Sequence, residues 1–290
     1  MTGRFKIDGK DAWTQWKVGV CEGGYNQFVC FPAMKEVETN DWNEYDGLEA
    51  DLMSPVGDGR TFVMDFFCSG SGSDMESFLS YLRTPYIDGE GVNHGVYHTF
   101  EGVEIGGRQV EARVVSLGSA GLGNMRPPLL FSLTFADDAG FIYDEDIIIP
   151  SAPSADSSDY SIDGIPFKSF GIKMLEGTLD RVRSGSGVKD GLSISVPDEP
   201  GVIYDTGAYQ KRMSRNITLG CHAKASSLSS LWSSMLSLEN LLFKPGQRTV
   251  RVSPLGVSFY CNYSSCSVQN FFPTNAWLDF NLTFRILGWL

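Results

Sequence analysis

Apolar and polar residues alternate along most of this chain. Phe131-Ser132-Leu133-Thr134-Phe135 puts a large apolar group at every second position, and so does Phe280-Asn281-Leu282-Thr283-Phe284. A period of two is the mark of a strand with one buried face. The same alternation predicts strands at 16–20 and 170–174, at 60–64 and 215–219, and at 109–114 and 257–263. Twice the period lengthens to that of a helix. Met75, Phe78, Leu79 and Leu82 share one face, with a capping-box pattern at Ser73-Asp74-Met75-Glu76 before them and Pro85 after. Leu228, Leu231, Trp232, Met235, Leu238 and Leu242 form a wider stripe, with Ser227 or a neighbouring Ser as cap and Lys244-Pro245-Gly246 as the stop.

These segments come in pairs, in the same order. Ile7-Asp8-Gly9 near the start returns as Ile162-Asp163-Gly164, and Glu22-Gly23 returns as Glu176-Gly177. Asp-Gly after an apolar pair marks a turn, because Gly tolerates a positive φ. The spacing between partners drifts from 155 (Asp8 to Asp163) to 149 (Phe131 to Phe280), as insertions and deletions in loops would make it. Two unrelated β-rich domains are the alternative; the matched order favours a tandem duplication. The expected fold is mainly β (α+β): two tandem β-sandwich or barrel domains, each with one helix between strands. The first spans 1–149 and the second 160–290, with a Pro/Ser/Ala/Asp linker at 150–159. Two copies are too few for a solenoid.

Composition fits this picture. The chain has 290 residues, 42% of them hydrophobic and 20% charged, which suits folded domains rather than disorder. No apolar run is long enough to cross a bilayer as a helix. The opening MTGRFKIDGKDAW lacks a signal-peptide core, so the expectation is a soluble protein made in a cytoplasm. Asn-x-Ser/Thr triplets at Asn216, Asn262 and Asn281 are then chance matches. Net charge is −12, unevenly spread. Residues 1–150 hold 10 Lys and Arg against 24 Asp and Glu, a balance of −14; residues 151–290 hold 13 against 11, a balance of +2. The basic run that nucleic-acid binding needs is missing.

Candidate chemistry is thin. His94 and His98 have i,i+4 spacing but sit in a Gly-rich, non-helical stretch without the Glu of HExxH. His222 follows Cys221 in a strand, so the two point to opposite faces and form no dyad. Cys21, Cys30, Cys68, Cys221 and Cys261 read as buried free thiols, and the Cys261–Cys266 spacing has no second pair to complete a zinc site. Gly70-Ser71-Gly72 and Gly185-Ser186-Gly187 lack the Lys of a phosphate loop. Asp41, Glu44, Asp46, Glu49 and Asp51 crowd beside Trp42 and Tyr45. Paired carboxylates of this kind can hydrolyse glycosides, yet a solvated acidic face explains them more simply. The expectation is that the chain is not an enzyme, with no catalytic, cofactor-binding or metal-binding residue and no cofactor.

Taken in order, an Ile-Asp-Gly opening, strands, a helix between strands and a closing Phe-x-Leu-Thr-Phe strand resemble the ring-forming fold shared by bacteriophage tail-tube proteins, distal tail (baseplate hub) proteins and related injection machines. Ile162-Asp163-Gly164, Phe170-Gly171-Ile172 and Tyr204-Asp205-Thr206-Gly207 make the second half similar to the opening domain of distal tail proteins; the acidic 41–51 stretch with its Trp42 departs from that pattern. The resemblance implies a structural virion protein in the phage tail, assembled in the bacterial host cytoplasm. It implies a self-associating ring (a homotrimer with pseudo-sixfold symmetry, or a homohexamer), contacts with other tail proteins, DNA passing through the lumen without specific binding, and no membrane partner. Distal tail adaptor is the leading role and a duplicated tube subunit the near alternative. A carbohydrate-binding β-sandwich, motivated by Trp13, Trp16, Trp42 and Tyr45, is the alternative of another class, with a glycoside hydrolase behind it.

Overall fold

The computed structural model describes residues 3–121, 127–154, 158–191, 193–198, 200–204 and 210–290. Fourteen strands build two seven-stranded antiparallel sheets. The N-terminal sheet holds β1 (Phe5–Ile7), β2 (Lys10–Asp11), β3 (Val18–Val20), β4 (Arg60–Cys68), β5 (His98–Gly102), β6 (Arg108–Gly121) and β7 (Leu129–Asp137). The C-terminal sheet holds β8 (Tyr160–Ile162), β9 (Ile165–Pro166), β10 (Ile172–Met174), β11 (Asn216–Lys224), β12 (Arg248–Val252), β13 (Val257–Phe272) and β14 (Trp277–Trp289). The spatial orders are β2-β1-β5-β6-β7-β4-β3 and β9-β8-β12-β13-β14-β11-β10. Every strand of the first sheet thus has its counterpart seven numbers later, in the same place.

The register repeats as well. Phe131, Leu133 and Phe135 of β7 lie opposite Phe66, Met64 and Phe62 of β4. Phe280, Leu282 and Phe284 of β14 lie opposite Cys221, Leu219 and Ile217 of β11. All twelve side chains are buried, so the two recurring pentapeptides are the central strands of two matching cores. A one-residue slip would turn each set to solvent, which is why both strand and partner keep their phase.

Both sheets curl. The outer strands β2 and β3 are joined by helix α1 (Ala12–Trp16), capped by Asp11 accepting Thr14 N–H at 2.8 Å. In the second sheet the turn Phe167–Phe170 makes the same link between β9 and β10. Sequence alternation places Trp16 and Phe170 in strands; instead each ends a helical turn and points into the core, and the strands begin at Val18 and Ile172. Lys17 takes a left-handed φ of 59° to end the first turn, and Gly171 does so at 70° in the second. Gly171 needs no side chain there; Lys17 bears the strain of having one.

One long helix covers each sheet. Helix α2 (Gly72–Arg83) buries Met75, Phe78, Leu79 and Leu82, with the Phe78 ring 6.0 Å from that of Phe131. Its cap is Ser71, with Asp74 at the third position, and the expected Ser73/Glu76 box lies two residues too late: Asp74 accepts Ser71 N–H at 2.7 Å. A short helix α3 (Thr178–Arg183) follows β10, and helix α4 (Leu228–Leu242), capped by Ser227, carries the wider stripe. Among the described residues no helix is long and apolar enough to cross a membrane. The C-terminal end of the 150–159 stretch is tied to the second unit, where Ser253 N–H donates to Asp159 O at 2.8 Å; Ala155, Asp156 and Ser157 lie outside the described residues.

Candidate functional site

The two units share one hydrophobic core. Their seam is made chiefly by two elements. The first is the chain after β3, which lays residues 25–35 along the outer side of β13. Main-chain Met34 N–H donates to Ser264 O at 2.9 Å, Tyr263 Oη to Pro32 O at 2.9 Å and Asn26 Nδ2 to Gln269 O at 3.0 Å. Phe31 reaches across to Phe280 at 6.4 Å. A free strand edge is a row of unpaired donors and acceptors. Here the first unit caps the edge of the second.

The second element is α4, whose far side meets the first unit. Trp232 Nε1 donates to Ile105 O at 2.6 Å, and the Arg108 guanidinium lies 5.1 Å from the Trp232 ring centre. Asn240 accepts Asp144 N–H and donates to Asp144 O, both at 2.8 Å. Beside it Glu239 is buried; burial pushes its carboxyl up to about 7, while Arg108 and Arg60 pull the other way. Arg60 is itself held by Asp137 at 3.0 Å and by the Cys30 carbonyl. A cleft of about 570 Å³ opens along the seam, lined by Met34, Lys35, Asp41, Arg215, Asn262 and Tyr263.

The acidic 41–51 stretch belongs to this seam. Asp41 meets the buried Lys189 Nζ at 2.5 Å, and Lys189 also donates to Trp42 O at 2.6 Å. Asp46 accepts Arg212 N–H at 2.6 Å, Gly47 N–H donates to Arg212 O at 2.8 Å and Leu48 N–H to Leu287 O at 3.0 Å. Two of the five carboxylates are therefore used as clamps on the C-terminal unit, and Glu49 accepts Trp42 Nε1 at 3.2 Å. Of the four aromatic residues set against sugars, Trp16 is buried and Trp13 leans on Phe67 at 5.9 Å, because helix α1 turns them inward; Trp42 and Tyr45 are exposed.

Each histidine is held by a carboxylate: His94 by Asp88 at 3.0 Å, His98 by Asp8 at 2.7 Å and His222 by Asp279 at 2.7 Å. His222 and Cys221 face opposite sides of β11, as alternation requires. The six cysteines are free; Cys68, Cys221 and Cys261 are buried, whereas Cys21 and Cys30, expected to be buried, are only partly so because they sit in the loop after β3. Cys30 Sγ lies 3.1 Å from Cys266 O across the seam. Gly70-Ser71-Gly72 is the start of α2, which explains its Gly-Ser pattern without a phosphate. Among the described residues no group of three or more His, Cys, Asp or Glu could hold a metal ion.

Sequence reasoning missed one paired feature. Asp8 and Asp163 both adopt φ 50° and close the same loop. Asp8 accepts Thr99 N–H at 2.9 Å while its own N–H donates to Thr99 O; Asp163 does the same with Thr249, accepting at 2.7 Å. The second carboxylate oxygen meets His98 in one unit and Arg248 in the other, each at 2.7 Å. The repeated Asp-Gly was the available signal, and it marks this clasp as well as a turn. Tyr204 lies in a two-residue ribbon with Ser193, while Asp205, Thr206 and Gly207 lie outside the described residues.

No family model matches the chain, and neither does any curated protein. Among solved structures it is similar to the Dit protein of phage SPP1, described as a paradigm of the hub adsorption apparatus in phages that infect Gram-positive bacteria. Identity there is 13%, with 44% of this chain and 49% of that chain covered and a TM-score of 0.30. The match therefore spans about half the length of that protein.

Proposed function

We propose that this chain is a structural subunit of a bacteriophage tail that assembles with copies of itself into a ring around the DNA channel, as a distal tail adaptor between tube and tip. The observation that carries the reading is the seam. Two units of one topology meet through unlike surfaces: the loop of one unit caps the strand edge of the next. A contact between unlike faces repeats in one direction and closes only as a ring, or runs on as a filament. Three chains with two units each give a ring of six similar units.

Charge supports the same reading. The N-terminal unit carries −14 and the C-terminal unit +2. Lys and Arg lining a bore would gain counterion-release energy and hold DNA; an acidic wall lets it slide. The chemistry of the seam also fits a scaffold, since Asp41 and Asp46 are spent on Lys189 and main-chain contacts. Negative-stain images of the purified protein test the proposal. Single rings with a central hole are the expected result. Cylinders of stacked rings at high concentration would turn the assignment toward a tube subunit, and isolated particles at every concentration would overturn it.

A further inference from the structure

The seam inside the chain has a counterpart left open at each end of the chain. In the N-terminal unit Met34 bridges Gly57: Asp58 N–H donates to Ala33 O at 2.8 Å and Lys35 N–H to Val56 O at 2.9 Å. Both bonds belong to Met34's neighbours, so the N–H of Met34 points the other way, to Ser264 O of β13. The C-terminal unit builds the same ribbon. Val188 bridges Arg212, with Met213 N–H donating to Gly187 O and Lys189 N–H to Lys211 O, both at 2.8 Å. Val188 therefore occupies the place of Met34. Its N–H is likewise turned outward, and among the described residues nothing accepts it.

The acceptor also has a counterpart. Ser264 is the extra residue of a bulge, between Tyr263 opposite Phe284 and Ser265 opposite Thr283. Val115 is the extra residue of the matching bulge in β6, between Val114 opposite Phe135 and Ser116 opposite Thr134. A bulge kept in both copies at the same register is a built feature. β5 pairs with β6 only as far as Ala112, so beyond it β6 has β7 on one side and, among the described residues, no strand on the other. Val115 is 50% exposed and Val188 49%.

We propose that a second copy of this chain docks head to tail through these two places, the 186–189 ribbon of one chain capping the β6 edge of the next around Val115, as residues 32–35 cap β13 within the chain. The inference rests on the ring reading and names its interface. Charge agrees: Arg181 and Arg183 are exposed on α3 just before the ribbon, and β6 belongs to the unit whose balance is −14, with its own Arg113 held by Asp138 at 2.8 Å. The contact between chains is also leaner than the one within. Tyr263, whose hydroxyl holds Pro32, is matched by Val114, and Phe31 by Gly185. The contact between chains is therefore one of main-chain pairing and charge, without the aromatic plug that fuses the two units.

Cysteine crosslinking tests this. Chains carrying Val115→Cys and Val188→Cys together are oxidised under mild conditions and run on a non-reducing gel, while the mass of the wild-type assembly is measured in parallel. Expected are disulfide-linked dimers and a closed three-chain species from the double variant. Co-expression of the two single variants should give dimers only, and each single variant alone should give no more than the wild type with its native cysteines. A wild-type ring without crosslinks in the double variant would overturn the interface and leave the ring standing. Crosslinks by either single variant alone would mean a self-complementary contact and overturn it too. A wild type that stays monomeric would overturn the ring reading and this interface with it.

Discussion

Asp8 and Asp163 show how one position keeps its task while its surroundings change. Each closes its loop on a Thr main chain, yet one faces His98 and the other Arg248. At Asp8 burial pushes the carboxyl up, but His98, Thr99 N–H and the Tyr81 hydroxyl together hold it below the ordinary carboxylate range. Glu239 at the seam goes the other way, up to about 7 from burial. By linkage, a carboxyl with a raised value in the folded protein binds its proton more tightly there than in the unfolded chain. Its favourable contribution is complete below about pH 4.5 and disappears as pH rises through about 7. Glu239→Gln should therefore be more stable than the wild type at pH 8, by up to about 3 kcal/mol, because each pH unit between the unfolded and folded values is worth roughly 1.4 kcal/mol. Urea midpoints of both proteins at pH 4.5 and pH 8 measure it. Equal pH dependence in the two proteins would show that Glu239 is no buried acid.

At the scale of elements, the period of two was readable because both cores bury one face of each long strand. The closing pentapeptides and their partners on β4 and β11 follow directly from alternation. Helix α1 was not readable, since its five residues are too few to show a helical period and its Trp16 sits where a strand residue would. The sequence pattern puts the start of α2 two residues late, because Ser73 and Glu76 also fit the capping pattern and only the main-chain path chooses Ser71. Ser71→Ala should cost about 1 kcal/mol, whereas Ser73→Ala should be nearly neutral. Thermal melts of the two variants separate them, and equal losses would return the cap to Ser73. The seam left almost no trace in the sequence. Met34 reaches Ser264 through main-chain atoms, which any residue type supplies, and Lys189 is a single lysine in a loop.

For the whole molecule, duplication explains more than the matching sheets. It gives one chain two versions of the same loop and two versions of the same bulged edge, and uses one of each internally. The pair used internally carries Phe31 and Tyr263, whereas the other pair has Gly185 and Val114 in their places. That asymmetry is what a subunit needs if it must fold alone and then polymerise around an axis. The most direct test is the native mass of the purified protein across a concentration series. One chain weighs 31.9 kDa, and a discrete species of three chains, or six, is the expected result. A single 31.9 kDa species up to the highest soluble concentration would contradict the ring.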